Sequence, residues 1–162
     1  MEYIVESNKL IDWKQNAVNI LKKYEWLHLT SYCDRLIYKG NRYIKSCPTG
    51  RERYSIGYGT LSFPWEKITE QEAERRMLEA INPTFEYLEQ FSCYTDNQKT
   101  AIADFIYNAW INRKHNRTWI PFRTYVEACN HWVIEWFLNP RNYASVWLQR
   151  RRQAQYNYWV SQ

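Results

Sequence analysis

The sequence predicts an α+β protein that is mostly helical, with a small antiparallel sheet confined to one part of the chain. Apolar residues recur at helical spacing over several long stretches, and Thr-x-x-Glu and Thr-x-x-Gln patterns typical of helix starts precede two of them. Short alternating segments beside glycines, typical of strands and tight turns, occur between residues 36 and 60. With 162 residues and 45% apolar content, the chain is long enough for one domain with a real core.

The first predicted element is an amphipathic helix over residues 8–27, with Asn8 as its N-cap. Its apolar stripe consists of Ile11, Val18 and Leu21. Glu25 falls on the same stripe near the C-terminal end, where burial and the negative end of the helix dipole both disfavour a carboxylate anion. This environment favours a carboxyl that retains its proton. A glutamate that points from the helix end into water is the alternative.

Two strand-like segments follow the first helix. Residues 36–44 form two short apolar runs around Gly40-Asn41, a composition typical of a two-residue hairpin. In residues 54–60, Tyr-Ser-Ile-Gly-Tyr-Gly-Thr, large side chains alternate with small ones. Gly57 and Gly59 would let the backbone turn sharply or let a ligand approach closely. We expect a short strand and a tight turn there.

Helices are predicted for the remainder of the chain. Thr69 and Glu72 form a capping box before a charged helix, which we expect to end at Asn82-Pro83 because proline lacks the N–H that continues a helix. Thr95 and Gln98 repeat the capping pattern before a helix that we expect to be central and buried. The apolar stripe of that helix consists of Ala101, Ile102, Phe105, Ile106 and Ala109.

Two further helices are predicted between Trp119 and Gln162, with a break at Asn139-Pro140. Near the end of the chain, Arg150-Arg151-Arg152 is a run of three cations, and such a run usually lies on a solvated face.

Several classes of site are absent from the pattern. The three histidines have no ligand spacing around them, and we assign no metal and no cofactor.

No apolar run of about 18 residues is present, so we expect no membrane span. The N-terminus lacks the basic and apolar regions of a signal peptide, so synthesis in a cytoplasm is expected. The four cysteines have no CxxC spacing and are expected to be reduced. A link between Cys33 and Cys47 after release into an oxidising space is the alternative.

One segment carries the whole charge imbalance of the chain. The net charge is +5, and residues 35–53 contain six basic residues against one acidic residue. A basic surface attracts polyanions through long-range, salt-screened steering. Bacterial wall polymers and nucleic acid both qualify, but the sequence has no recognised nucleic-acid motif and its excess basic residues are confined to this segment.

The order of two acids and a glycine turn resembles the phage-type lysozymes, glycoside hydrolase family 24. Glu25 matches the family's acid at a helix end, and Asp34 matches a second carboxylate nine residues later. In the family's (Y/W)-T-I-G-(Y/I)-G-H run, Ser55 takes the place of the threonine and Thr60 that of the histidine. Asp34 and Ser55 are 21 residues apart, farther than is usual in the family, so the match at Ser55 rests on the glycine motif. Weaker similarity continues through Ile68–Glu74, Phe105–Asn108 and Leu148–Arg152.

The resemblance implies a lysozyme-like, two-lobed fold in a single catalytic domain of residues 1–162. A β-rich lobe would occupy about residues 28–68, with the basic hairpin of residues 35–53 inserted in it. A long connecting helix would run over about residues 70–82. The helical lobe would comprise about residues 84–162 together with the N-terminal helix.

Hydrolysis of a glycosidic bond requires one carboxylic acid to protonate the departing oxygen and a second carboxylate on the attacking side. The resemblance implies that Glu25 is the acid and that Asp34, with Ser55, holds the attacking water. We expect the two carboxyl groups to lie about 6.5–9.5 Å apart, which is the separation found in inverting enzymes. One arginine of residues 150–152 would reach Glu25 and lower its pKa, which opposes the effect of burial.

The resemblance also implies a cleft with Leu61 and Tyr107 as walls and Asn108 as a substrate contact. The implied substrate is bacterial peptidoglycan, cleaved at the β-1,4 bond between N-acetylmuramic acid and N-acetylglucosamine. A monomeric endolysin would wait in the host cytoplasm until a holin-type protein, with which we predict no direct contact, opens the membrane to the cell wall. A lytic transglycosylase and a non-catalytic binder of glycans or polyanions are the alternatives.

Overall fold

The computed structural model describes residues 12–33, 36–39, 42–45, 54–110 and 119–161, with the backbone alone at residues 36–39, 42–45, 110 and 119–121. The elements in chain order are α1 (Trp13–Tyr24), β1 (His28–Cys33), β2 (Leu36–Lys39), β3 (Arg42–Lys45), β4 (Tyr54–Gly57), β5 (Thr60–Ser62), α2 (Glu70–Glu89), α3 (Asp96–Trp110), α4 (Trp119–Glu127), α5 (His131–Leu138) and α6 (Val146–Val160). A short 3-10 turn, Pro140–Asn142, joins α5 to α6.

A three-stranded antiparallel sheet with the order β1-β4-β5 forms the β-rich part of the described chain. Ser55 on β4 pairs with Tyr32 on one side and Leu61 on the other. Because directly paired residues of antiparallel strands share a face, these three residues form a row across the sheet. The predicted hairpin is confirmed, since β2 pairs with β3 in a register that places Leu36 opposite Lys45. Gly40 and Asn41 themselves lie outside the described residues.

The glycine turn between β4 and β5 is confirmed. Gly57 and Gly59 have φ of +63° and +83°, in the left-handed region that favours glycine. At Gly57 the absence of a side chain also serves packing. A Cβ atom added there would lie 3.0 Å from Ala73 Cβ and 3.2 Å from Ala73 Cα on α2. The sheet therefore rests directly on the first turns of α2.

Helix α3 is the central helix of the helical part, as the sequence predicted. Its residues from Thr100 to Tyr107 are buried without exception, and it packs against α1, α2, α4 and α6. The reciprocal capping box is present, since Thr95 N donates to Gln98 Oε1 and Gln98 N donates to Thr95 Oγ1. Among the described residues, no helix is both long and apolar enough to cross a membrane.

The boundaries of two helices differ from the prediction. The first helix begins after Asp12 rather than at Asn8, which lies outside the described residues. Helix α2 continues through Pro83 to Glu89 instead of ending at Asn82-Pro83. A proline removes only one helical N–H and its ring crowds one carbonyl. Thr84, Phe85 and Leu88 are buried in the following turns, and this packing keeps the helix continuous.

The C-terminal part contains three helices rather than the predicted two. Helix α4 ends at Glu127, and α5 begins only at His131, because Cys129 has a left-handed backbone with φ of +51°. Asn130 then caps α5 by accepting a hydrogen bond of 3.2 Å from Val133 N. The predicted break at Asn139-Pro140 is confirmed, and Ser145 caps the last helix, α6.

The expectation of reduced cysteines is wrong. Cys93 and Cys129 form a disulfide with a Cα–Cα distance of 6.2 Å, and Cys33 is also disulfide-bonded. Cys47 lies outside the described residues. The packing of the helices brings Cys93 and Cys129 together: Tyr94 donates a hydrogen bond to Val126 O, and the His131 ring lies 2.9 Å from Cys93 O. The spacing of Cys93 and Cys129 in the sequence does not indicate that the two residues lie close together in the fold.

Candidate active site

Glu25 occupies the C-cap of α1, where its N–H donates a hydrogen bond of 2.8 Å to Leu21 O. Only 10% of its side chain is exposed, in agreement with the predicted position on the apolar face. Its Oε1 atom accepts a hydrogen bond of 2.5 Å from Arg151 Nη1. The cation that the resemblance implied for Glu25 is therefore the middle arginine of the run, supplied by α6.

Arg151 is completely buried and has a second carboxylate partner, Asp104 on α3. Its Nε and Nη2 atoms donate to Asp104 Oδ2 at 3.0 Å and Oδ1 at 2.8 Å, in a bidentate pair. Burial lowers the pKa of the Arg151 guanidinium, but the charges of Asp104 and Glu25 outweigh burial, so the pKa is raised overall. The guanidinium therefore remains a cation between two carboxyl groups.

Further polar side chains extend this cluster. Gln155 Nε2 donates to Asp104 Oδ2 at 2.5 Å, and Gln155 Oε1 accepts from Arg152 Nη1 at 2.7 Å. Arg152 Nη2 in turn donates to Asn108 Oδ1 at 2.8 Å. A continuous chain of hydrogen bonds therefore runs from Glu25 to Asn108. We call the members of this chain the buried polar chain: Glu25, Arg151, Asp104, Gln155, Arg152 and Asn108.

Ser55 is buried, with 4% exposure, in the row across the sheet beside Tyr32 and Leu61. Strand β1 leads from Tyr32 to Cys33, the residue before Asp34 in sequence. Asp34 lies outside the described residues. Its role and the predicted separation of its carboxyl group from Glu25 therefore stay predictions, as does the role of Ser55.

Tyr107 does not form a wall of a cleft as predicted. Its side chain is 1% exposed, and its hydroxyl donates a hydrogen bond of 2.7 Å to Tyr58 O in the glycine turn. Burial raises the pKa of this hydroxyl, and the charge of Glu25 adds to the effect. Tyr107 thus links α3 to the glycine turn of the sheet through a buried hydrogen bond.

The other two predicted substrate contacts remain compatible with their roles. Leu61 has 57% of its surface exposed and stands at the end of the row that contains Ser55. Asn108 is half-buried at the end of the buried polar chain, so its orientation is set by Arg152. Contact of either residue with a substrate stays a prediction.

Sequence reasoning missed Asp104 and Tyr32. Asp104 is a lone acid within the buried run Ala101 to Tyr107, and an acid in a wholly apolar helix segment is a signal of a buried partner. Tyr32 lies on β1 opposite Ser55 and precedes Asp34 by two positions in the sequence. Both residues influence the Tyr107 hydroxyl electrostatically, as do Glu25 and Arg151, so all of them lie close together.

Within the described segments, no group of three or more His, Cys, Asp or Glu side chains could hold a metal ion. The described part of the site offers carboxyl groups, hydroxyls and buried cations. Glu25 is a nearly buried carboxyl group on a helix end, fixed by one guanidinium nitrogen. Such a group can donate or accept a proton at a defined position.

Comparison with known proteins yields structural neighbours only. No protein-family model and no curated protein sequence matches the chain. The muramidase domain of SpmX from Asticaccaulis excentricus is similar with a TM-score of 0.59 and 18% identity, over 90% of this chain and 95% of that chain. The endolysin from Escherichia coli O157:H7 phage FAHEc1 is similar with a TM-score of 0.59 and 20% identity, over 91% of this chain and 92% of that one.

Identities of 18% and 20% establish a common fold and nothing finer. Both similarities extend over nearly the whole of each chain, so they concern the complete arrangement of sheet and helices. The predicted fold class is confirmed: the chain has a lysozyme-like α+β fold, mostly helical, with a small antiparallel sheet.

Proposed function

We propose that this protein is a peptidoglycan hydrolase of the muramidase type, an endolysin that cleaves the β-1,4 bond between N-acetylmuramic acid and N-acetylglucosamine. The observation that carries the proposal is the position of Glu25. In a fold shared with a muramidase domain and a phage endolysin, a nearly buried carboxyl group stands at the end of the first helix, hydrogen-bonded to a buried arginine.

In the proposed reaction, Glu25 protonates the glycosidic oxygen as the bond to the anomeric carbon breaks. The hydrogen bond from Arg151 to one oxygen of the carboxyl group orients the acid. Asp34 and the Ser55 hydroxyl orient a water molecule on the opposite face of the sugar, and Asp34 accepts the proton that the water loses as its oxygen bonds to the anomeric carbon. Attack from that face inverts the anomeric configuration.

The proposed site of action is the cell wall, reached from the host cytoplasm after holin-type release. The disulfide between Cys93 and Cys129 supports activity outside a reducing cytoplasm, because disulfides persist in oxidising compartments. We propose that the β-rich part, α2 as the connecting helix, and the remaining helices act as one catalytic domain. A monomer is sufficient for the proposed chemistry, since Glu25, Asp34 and Ser55 belong to one chain.

A lysis assay with Glu25→Gln tests the proposal. The wild-type chain should reduce the turbidity of permeabilised Gram-negative cells and release reducing ends from purified peptidoglycan. Glu25→Gln keeps the shape of the side chain but removes its acid, so activity should fall by at least about a hundredfold. Glu86→Gln, an exposed position on α2, is the matched control and should retain full activity. Inactive wild-type protein, or an active Glu25→Gln variant, would refute the hydrolase assignment.

Product analysis separates the proposed enzyme from its rivals. A muramidase yields reducing N-acetylmuramic acid ends, initially as the inverted anomer, and should lose activity in Asp34→Asn. A lytic transglycosylase requires one acid only, so full activity of Asp34→Asn with anhydro-sugar products would identify that reaction instead. Binding of peptidoglycan without any new ends would identify a non-catalytic glycan-binding protein.

A further inference from the structure

Asp104 is the most deeply buried carboxylate of the described chain and has no place in the reaction as proposed above. It accepts three hydrogen bonds: two from Arg151 and one from Gln155. Neither Asp104 nor Arg151 has any exposed side-chain surface. An ionised pair this deeply buried is costly to desolvate, and its retention calls for a reason beyond stability.

The arrangement of the three guanidinium nitrogens of Arg151 supplies that reason. Asp104 engages Nε and Nη2, which fixes the plane of the guanidinium, and only Nη1 is directed at Glu25 Oε1. The negative charge of Asp104 also opposes the positive charge that Arg151 presents to Glu25. A guanidinium without this counter-charge would favour the ionised form of Glu25, whereas a general acid must carry a proton.

We propose that Asp104 is a positioning residue for the reaction at Glu25: it anchors the Arg151 guanidinium and offsets its charge, so that Glu25 can carry the proton that the leaving group requires. This inference rests on the proposed function. Among the described titratable groups, Arg151 on α6 contacts Glu25, Asp104 on α3 contacts Arg151, and Tyr107 on α3 interacts electrostatically with Glu25, Arg151, Asp104 and Tyr32. Asp34 lies outside the described residues.

Gln155 completes the arrangement from the same helix that carries Arg151. Its amide nitrogen donates to Asp104 and its oxygen accepts from Arg152. The direction of these bonds requires Asp104 to be an acceptor toward Gln155. Gln155 therefore holds the same Asp104 oxygen that accepts from Arg151 Nε.

The test is the pH profile of Asp104→Asn, an isosteric change that removes the charge and replaces one acceptor oxygen with an NH2 donor. When the rate is measured at saturating peptidoglycan, the alkaline limb of its pH profile reports the pKa of the acid in the enzyme–substrate complex. We expect this limb to move to lower pH by about one unit, with activity at neutral pH about tenfold lower and partly recovered at acidic pH. The peptidoglycan concentration at half-maximal rate should stay within about twofold, because Asp104 does not touch substrate. Asp96→Asn, at an exposed position of the same helix, is the control and should leave the profile unchanged.

A merely structural role for Asp104 predicts a different result. The variant would then lose folded protein or total activity without any movement of the alkaline limb, and that outcome overturns the inference. If Asp104→Asn fails to fold, the double variant Asp104→Asn/Gln155→Glu provides the test, because it moves the carboxylate to the partner across the hydrogen bond. In this variant the carboxylate stays in the cluster but leaves the position that anchors Arg151, so the limb should lie measurably below that of the wild type, by less than about one unit. A limb indistinguishable from that of the wild type contradicts the anchoring role of Asp104.

A second readout does not depend on catalysis. In protein labelled with ¹³C at the glutamate carboxyl carbon, the resonance that disappears in Glu25→Gln belongs to Glu25. Its titration midpoint should fall in Asp104→Asn and stay constant in Asp96→Asn. Failure of the proposed function appears as inactive wild-type protein or an active Glu25→Gln variant, whereas failure of this inference appears as a Glu25 midpoint that Asp104→Asn does not move.

Discussion

Tyr107 donates a hydrogen bond of 2.7 Å from its buried hydroxyl to the carbonyl oxygen of Tyr58, and this bond joins the central helix to the glycine turn. The two residues belong to different parts of the fold, since Tyr107 lies on α3 and Tyr58 lies between β4 and β5. The bond therefore ties the glycine turn of the sheet to α3, the helix that carries Asp104.

Replacement of Tyr107 by Phe should reduce the free energy of unfolding by about 1–3 kcal/mol, because the Tyr58 carbonyl is left without its partner in the core. Urea unfolding of the purified variant measures this loss. Tyr24→Phe is a matched control, since Tyr24 also donates to a backbone carbonyl, that of Arg150, but in an exposed position. The control should change stability by no more than about 0.5 kcal/mol. Equal losses in the two variants would contradict the assigned role of burial.

Glu66 should make stability depend on pH. The Arg76 guanidinium, which donates to Glu66 Oε1 at 2.5 Å, lowers the pKa of this nearly buried carboxyl below its ordinary value of 4.5. A carboxyl with a lowered pKa stabilises the folded state above its ordinary pKa and loses that contribution as pH falls through the lowered value. Glu66→Gln should therefore cost about 1–2 kcal/mol at pH 7 and much less at pH 3.

Urea unfolding of Glu66→Gln and the wild type at these two pH values checks the pH dependence. Glu86→Gln, at an exposed position on α2, serves as the reference and should differ little from the wild type at either pH. A cost for Glu66→Gln that is the same at both pH values would show that the ion pair with Arg76 is not its source.

The disulfide between Cys93 and Cys129 should contribute strongly to stability. It closes a loop with a sequence separation of 36 residues. The chain-entropy model assigns about 4 kcal/mol to a crosslink of this length. The double variant Cys93→Ser/Cys129→Ser should show that loss in denaturant unfolding without reductant. Cys93→Ala/Cys129→Ala should show the same loss, which separates the crosslink from the added hydroxyls. A cost below about 1 kcal/mol would be inconsistent with a disulfide in the folded protein.

The basic segment of residues 35–53 should act in wall binding through its charge. Replacement of Lys39, Arg42 and Lys45 by Gln should weaken binding to purified peptidoglycan by about tenfold at low salt and flatten the salt dependence. Sedimentation with insoluble peptidoglycan over a range of ionic strength measures both effects. The control neutralises three exposed basic residues elsewhere, Lys23, Lys67 and Arg150. Equal effects of the two triple variants would indicate that net charge, and not this segment, governs binding.

The sequence predicted the elements whose signals are local. The hairpin of β2 and β3, the glycine turn and the capping box of α3 each depend on residues a few positions apart, and all are confirmed. The continuation of α2 through Pro83 was not predictable in this way. Its cause is the burial of the following turns, which is tertiary information that outweighs the local effect of a proline.

The features of the candidate site also divide into those that local sequence signals predicted and those that depend on tertiary packing. The apolar stripe of α1 was enough to place Glu25 on a buried face, and the family resemblance was enough to expect an arginine partner. The choice of Arg151 over its neighbours depends on how α6 packs against α3, and the bidentate pair with Asp104 depends on the same packing. No local spacing encodes a contact between residues 104 and 151, and for the same reason the burial of Tyr107 was missed.

The contact between Gly57 and Ala73 restricts how this molecule can flex. A residue larger than glycine at position 57 would have to push β4 away from the first turn of α2 and would also have to adopt a positive φ. Beyond Ala73, α2 continues to Glu89. Pro83 lies in that stretch and supplies no N–H to the carbonyl of Glu79, so the helix has one fewer hydrogen bond to resist bending there.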